Sequence, residues 1–186
     1  MANRYCVSCV VWLVVVAWAC GAGVAQETLR TPPDPSVDVL HIRLDLDVSL
    51  KHRRIAGHAV LDFALRRPLR VVRFDAVDHQ VRSVTVVPLD DQPIATFRHA
   101  NTGRAIELEF ERPLAPGRRW RVDIEYAVEN PPAGLYFFGP TEQEPDVPWM
   151  VWSQGEPQDN RYWFPCVDHP IEKQTTELIA VVDGDF

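Results

Sequence analysis

Glu156 sits between Gly155, which lets the backbone come close to a neighbour, and Pro157, which stiffens the turn that follows. A carboxylate held on such a loop, with Trp152, Tyr162, Trp163 and Phe164 nearby in sequence, can accept charge-assisted hydrogen bonds from a cationic group. In a partly apolar wall that contact is stronger than in water. The spacing admits a plainer use, an ion pair with Arg161 over an aromatic core, and taken alone it favours that use. Cys166, Asp168 and His169 have metal-ligand chemistry, but the pattern lacks a second ligand cluster. His41, His52, His58, His79 and His99 fall singly on extended runs or turns, so no zinc site is expected within the chain. Cys166, between Pro165 and Val167, is expected as a small buried apolar residue rather than a nucleophile, since no thiolate-stabilising base accompanies it.

A loop of this kind needs a rigid scaffold, and the sequence supplies one made of strands. Leu40, Ile42, Leu44, Leu46, Val48 and Leu50 alternate with polar residues, the period of a half-buried strand. Ala59, Leu61, Phe63 and Leu65 repeat the pattern after the turn at Lys51 to Arg54, giving a hairpin. Shorter extended runs are expected at 69–74 and 81–87, and clear alternation returns at 106–110, 120–128 and 175–182. The Arg112-Pro113-Leu114-Ala115-Pro116-Gly117 stretch is turn chemistry. Nothing has convincing helical periodicity. The fold class is therefore all-β and mostly antiparallel, with one wet face and a long structured loop near the C-terminus. Residues 131–148, rich in proline and acid, extend that loop, and the 152–170 stretch has neither strand nor helix rhythm. The acidic side chains read as solvated strand faces, with no calcium-loop spacing. Nucleotide-binding glycine motifs and a Gly-x-Ser-x-Gly elbow are absent from the sequence.

Residues 1–25 have the form of a secretory signal: Arg4 is the only charge, an apolar run covers 7–19, and small residues follow. An uncleaved anchor is the alternative, and lipidation at Cys20 is a weaker one because Trp18 spoils the lipobox. Residues 26–37 form a proline-rich linker and 38–186 the folded domain. Three of the 4 cysteines, Cys6, Cys9 and Cys20, lie in the leader, which leaves Cys166 alone in the exported part. The net charge of -7 argues against nucleic acid as a partner. Membrane contact is expected only through an uncleaved or lipidated leader.

The Gln154-Gly155-Glu156-Pro157 element, followed by Arg161-Tyr162-Trp163-Phe164-Pro165-Cys166-Val167-Asp168-His169-Pro170 and then Lys173 and Thr175, resembles a known signature. It is similar to the Gln-x-Glu…Arg-x-x-Phe-Pro-Cys-x-Asp-x-Pro motif closing the N-terminal domain of zinc aminopeptidases of the aminopeptidase N and leukotriene A4 hydrolase family. The resemblance extends weakly over 39–182, through Gly57 and the Gly134-Leu135-Tyr136 segment. It implies a saddle-like β-sandwich domain whose final loop walls a neighbouring active site. Glu156 would bind the free α-amine of a peptide N-terminus, Gln154 would line the pocket for the first side chain, and Arg161, Pro165 and Asp168 would hold the loop. Zinc is expected in the full-length family enzyme and not in this chain, which has no His-Glu-x-x-His motif. No catalytic residue is assigned here, and a catalytic domain is the expected missing partner, the chain being read as a fragment inactive alone. Two other uses stay open: a stand-alone exported module that holds a peptide or protein without chemistry, and a carbohydrate platform built on Trp149, Trp152 and Trp163.

Overall fold

A computed structural model describes residues 36–90 and 93–183; the leader, and the linker as far as residue 35, lie outside the described residues. Ten strands and one 3₁₀ turn (Asn160–Tyr162) make up the regular structure there, with no α-helix among the described residues. The strands are β1 (Val37–Ser49), β2 (Arg54–Leu65), β3 (Leu69–Asp75), β4 (Gln80–Pro88), β5 (Phe97–Asn101), β6 (Ala105–Leu114), β7 (Arg119–Glu129), β8 (Gly134–Phe138), β9 (Met150–Gln154) and β10 (Thr175–Val182). Five of them form a sheet in the order β10-β1-β2-β7-β4, three form a second sheet in the order β3-β6-β5, and β8 and β9 form a ribbon.

The two larger sheets bury their apolar faces against each other. Ile42, Leu44, Leu46 and Val48 of β1, Ala59, Leu61 and Phe63 of β2, and Val122 and Ile124 of β7 face Val72 and Phe74 of β3 and Ile106, Leu108 and Phe110 of β6. Phe63 meets Phe74 edge-on across the gap, ring centroids 5.5 Å apart. Each such side chain contributes about 1.5–3 kcal/mol by leaving water. Polar partners occupy the outer face, as in the paired contacts of Arg121 Nε and Nη2 with Asp62 at 2.6 and 2.8 Å. The all-β, mostly antiparallel domain read from the alternation is observed, and its two large sheets pack as the sandwich that the resemblance implies.

Three details differ from that reading. The strict alternation from Leu40 fails at its first member, because the register shifts between Val39 and His41 and Leu40 is the extra, unpaired residue of a bulge. The bulge reverses the phase, so Val37 and Val39 join the buried face instead. Second, β8 and most of β9 fall where the sequence suggests loop, and β5 falls where it suggests no element. In particular, the stretch starting at Trp152 begins inside a strand: Met150–Gln154 pairs with Gly134–Phe138. Third, β10 runs parallel to β1, and all eight of its residues are exposed, including Leu178, Ile179, Val181 and Val182.

Candidate binding loop

Gln154 is the last residue of β9, opposite Gly134 of β8. Glu156 follows two residues later on an exposed loop, and its N–H donates to Gln154 Oε1 at 3.1 Å, so the two candidate residues are tied to each other. The Glu156–Pro157 peptide is cis. Two glycines let the loop lie where it does. A Cβ on Gly134, whose φ is +80°, would sit 2.0 Å from the backbone oxygen of Asp159, a contact backbone cannot relieve. A Cβ on Gly155 would meet Asn160 Oδ1 at 2.2 Å. The Asp159 N–H donates to Gly155 O at 2.9 Å and closes the turn that carries Glu156.

Beneath this turn lies a polar brace. Arg161 donates from Nε to Asp168 Oδ2 (2.9 Å), from its backbone N–H to the same oxygen (3.1 Å), and from Nη2 to Asp168 O (3.0 Å). The Asp168 side chain is 3% exposed and that of Arg161 26%, so the pair is well shielded. Burial works against the Arg161 charge, but the hydrogen bond it donates to Asp168 and the charges of Asp75 and Asp168 prevail and hold the guanidinium above its usual range. The spacing-based pairing of Arg161 with Glu156 is thus overturned: the 3₁₀ turn at Asn160–Tyr162 aims the guanidinium at Asp168. Arg161 and Asp168 hold the loop.

Asp75, at the end of β3, joins this brace to the sandwich. Its backbone exchanges two hydrogen bonds with Cys166, at 2.7 and 3.1 Å, and its Oδ2 accepts the Asp168 N–H at 3.1 Å. Val77 N–H donates to Arg161 O at 2.8 Å, and Tyr126 Oη donates to Trp163 O at 3.0 Å from a fully buried position. His79, 3% exposed, stacks on Tyr126 with centroids 5.0 Å apart, and neither ring nitrogen has a hydrogen-bond partner. Burial lowers its pKa to about 4, and the Arg161 backbone acts in the opposite sense. Cys166 is buried, and burial, followed by the charges of Asp168 and Asp75, pushes its thiol well up. Such a thiol stays protonated and serves as core.

The aromatic neighbours of Glu156 divide. Trp163 and Phe164 are buried beneath the loop, while Trp152 is exposed and stacks on Tyr136 at 4.7 Å. The carboxylate itself is exposed rather than walled in by all four rings. The carbohydrate platform fails for the same reason: Trp163 is buried and Trp149 half-buried, so the three tryptophans do not present one open face. Among the described residues no three His, Cys, Asp or Glu side chains converge as a metal site. The donor chemistry agrees, since Asp168 is committed to Arg161 and the Cys166 thiol is held protonated; these residues do not fit zinc.

The sequence singles out Gln154, Glu156, Arg161 and Asp168, and the structure ties Gln154 to Glu156 and Arg161 to Asp168. Sequence reasoning missed Asp75 and Tyr126, which lie far away in the chain, and it quoted Gly134 without its role. The only sequence trace of that role is a glycine opening a run of bulky residues.

Residues 38–185 match the family model of the peptidase M1 N-terminal domain. Human aminopeptidase B is 28% identical over 193 residues, covering 88% of this chain and 30% of its own length. An M1 zinc metallopeptidase from Deinococcus radiodurans superposes with a TM-score of 0.61 at 25% identity, over 79% of this chain and 32% of the bacterial one. A variant of that enzyme has been crystallised with a Tyr-Ser-Ala substrate. Yeast leukotriene A4 hydrolase shares the fold, with a TM-score of 0.60 at 20% identity over 79% of this chain and 23% of its own. The chain thus spans a third or less of the length of these relatives.

Proposed function

The chain belongs to the peptidase M1 N-terminal domain family, and from that premise we propose that it supplies the amine-recognising wall of an exported zinc aminopeptidase. Glu156 receives the α-ammonium of a peptide N-terminus, and Gln154, fixed by its hydrogen bond to the Glu156 N–H, lines the space for the first side chain. The zinc and the residues that activate water come from sequence outside these 186 residues, for the ligand set is absent from them. Export rests on the leader pattern of residues 1–25.

What carries this reading is the contrast between Glu156 and the groups around it. Arg161, the nearest cation in sequence, is engaged by Asp168 and by the Gln158 carbonyl, and Glu156 has no ion pair among the described residues. A carboxylate left without a cation on a braced loop is ready for an external one. The Tyr-Ser-Ala substrate of the bacterial relative supports a peptide as that partner. Selectivity for a free N-terminus follows from desolvation: once the neighbouring domain closes over the site, a ligand lacking the charge leaves Glu156 unpaired, at a cost of roughly 2–5 kcal/mol.

The test joins this domain to a catalytic domain of the same family and compares Glu156→Gln with the parent. Replacing a charge-assisted contact by a neutral one should lower kcat/KM for free-amine substrates about ten- to a hundredfold. Residual turnover of an N-acetylated peptide should hardly change. Equal losses on both substrates, with stability unchanged, would remove the amine-binding role. Binding of free-amine peptides without turnover in any assembled form would favour the non-catalytic module instead.

A further inference from the structure

Beside Glu156 a recess opens between the 155–160 loop and the segment 166–174, walled by Glu156, Asn160, Asp168, His169, Glu172 and Gln174 over a floor that includes Phe164. No lysine or arginine lines it. Most of its acceptors are already engaged: Asp168 by Arg161, Glu172 Oε1 by the Val39 N–H at 2.8 Å, and His169 Nδ1 by the Ile171 N–H at 3.1 Å. Two are not. Glu156 has no cation, and Gln174 Oε1 is enclosed without a hydrogen-bond partner.

An enclosed carbonyl oxygen with no donor weakens the fold that contains it, and such atoms in native proteins call for an explanation. A ligand that brings the donor is one. The recess already states the ligand's sign and type: it offers acceptors, it carries no cation, and a carboxylate stands at its rim. A primary ammonium matches, having three N–H donors and no acceptor. We propose that Gln174 is a second ammonium-binding residue, its Oε1 accepting one N–H of the group whose charge Glu156 balances. The proposal rests on the amine-binding role assigned to Glu156 and adds a neutral acceptor on a different segment. Two acceptors facing one ammonium from different segments fix its direction, where a single carboxylate fixes only its neighbourhood.

The experiment titrates the full chain, followed by amide shifts of Gly155 and Asn160, with three probes: leucinamide, N-acetyl-leucinamide and Nα-acetyl-lysinamide. Leucinamide should bind and N-acetyl-leucinamide should not. Binding of Nα-acetyl-lysinamide as tight as that of leucinamide would identify a lysine side chain as the ammonium source, with the same chemistry. Gln174→Leu should weaken leucinamide about three- to tenfold and, by removing an unpaired acceptor, raise the Tm. A purely structural glutamine would do the reverse, lowering the Tm and leaving the titration unmoved. Gln174→Glu, which keeps the acceptor and adds charge, should tighten leucinamide at neutral pH. If Glu156→Gln weakens leucinamide while Gln174→Leu does not, the Gln174 inference is wrong and the Glu156 reading stands. If neither substitution changes leucinamide binding, both fall.

Discussion

The sandwich and the loop that leans on it are held by different mixtures of forces. Between the two large sheets almost every contact is apolar: Ile42, Leu61, Phe63, Phe74, Leu108 and Val122 are each at most 1% exposed. The lobe of the β8–β9 ribbon and residues 155–170 also buries Leu135, Trp163, Phe164 and Cys166, but adds to that burial a set of polar contacts: Arg161 with Asp168, Asp75 with Cys166 and Asp168, and Tyr126 with Trp163. Apolar burial is non-directional and fixes which face is inside. Hydrogen bonds to carboxylates have narrow geometry and fix where a particular atom lies. A scaffold needs the first, and a carboxylate that must meet an ammonium needs the second.

That contrast can be broken from either side. The largest expected effect is on the sandwich: Phe63→Ala, which deletes a ring from the inter-sheet gap, should lose about 3–5 kcal/mol in denaturant unfolding. Amides of the core sheet and of the loop should lose protection together. Asp168→Ala should cost less, about 2–3 kcal/mol, because it leaves Arg161 without its partner but with some access to water. Its signature is unevenness. Hydrogen exchange should quicken at Arg161, Cys166 and Val77 and stay slow in β2 and β7; uniform quickening would erase the distinction between the two regions.

The third effect appears only on acidification. His79 has a folded pKa of about 4, below the usual 6.5, so the unfolded chain binds its proton first. The stability it contributes is fully present above about 6.5 and is lost as pH falls through about 4, reaching about 3 kcal/mol. The difference in Tm between the parent and His79→Phe should therefore move steadily in favour of the variant from pH 6.5 to 4 and stay flat above pH 7. A constant difference across that range would show that His79 is not held neutral between Tyr126 and the Arg161 backbone.

The sandwich was legible because strands with one wet face write their burial into alternate residues, as β1, β2, β6 and β7 do. Where that condition lapses, reading fails. In β8, Gly134 to Phe138 places a glycine before four large apolar residues with no polar alternate, and β5 is an edge strand exposed beyond Phe97. The bulge at Leu40 hides in the same way, since a residue added to one strand leaves composition untouched. At the site, a specific local motif pointed to Glu156 and Gln154, and also to Arg161 and Asp168 as holders. Spacing alone sent Arg161 to the wrong acid because it carries no record of the 3₁₀ turn. Asp75 was invisible: its tie to Asp168 spans 93 residues, and nothing local distinguishes it from the other acids of the strands.

That span also sets an order of events. The hydrogen bond from Asp168 to Asp75 closes a loop of 93 residues, while the hairpin turn between β1 and β2 closes over only a few. Long closures cost more chain entropy than short ones, so the β1–β2 hairpin is expected to form before Cys166 docks on Asp75. The wall that bears Glu156 therefore depends on a closure of far longer range than the hairpin inside the large sheet, as does β10, which meets β1 at His41 and Thr175.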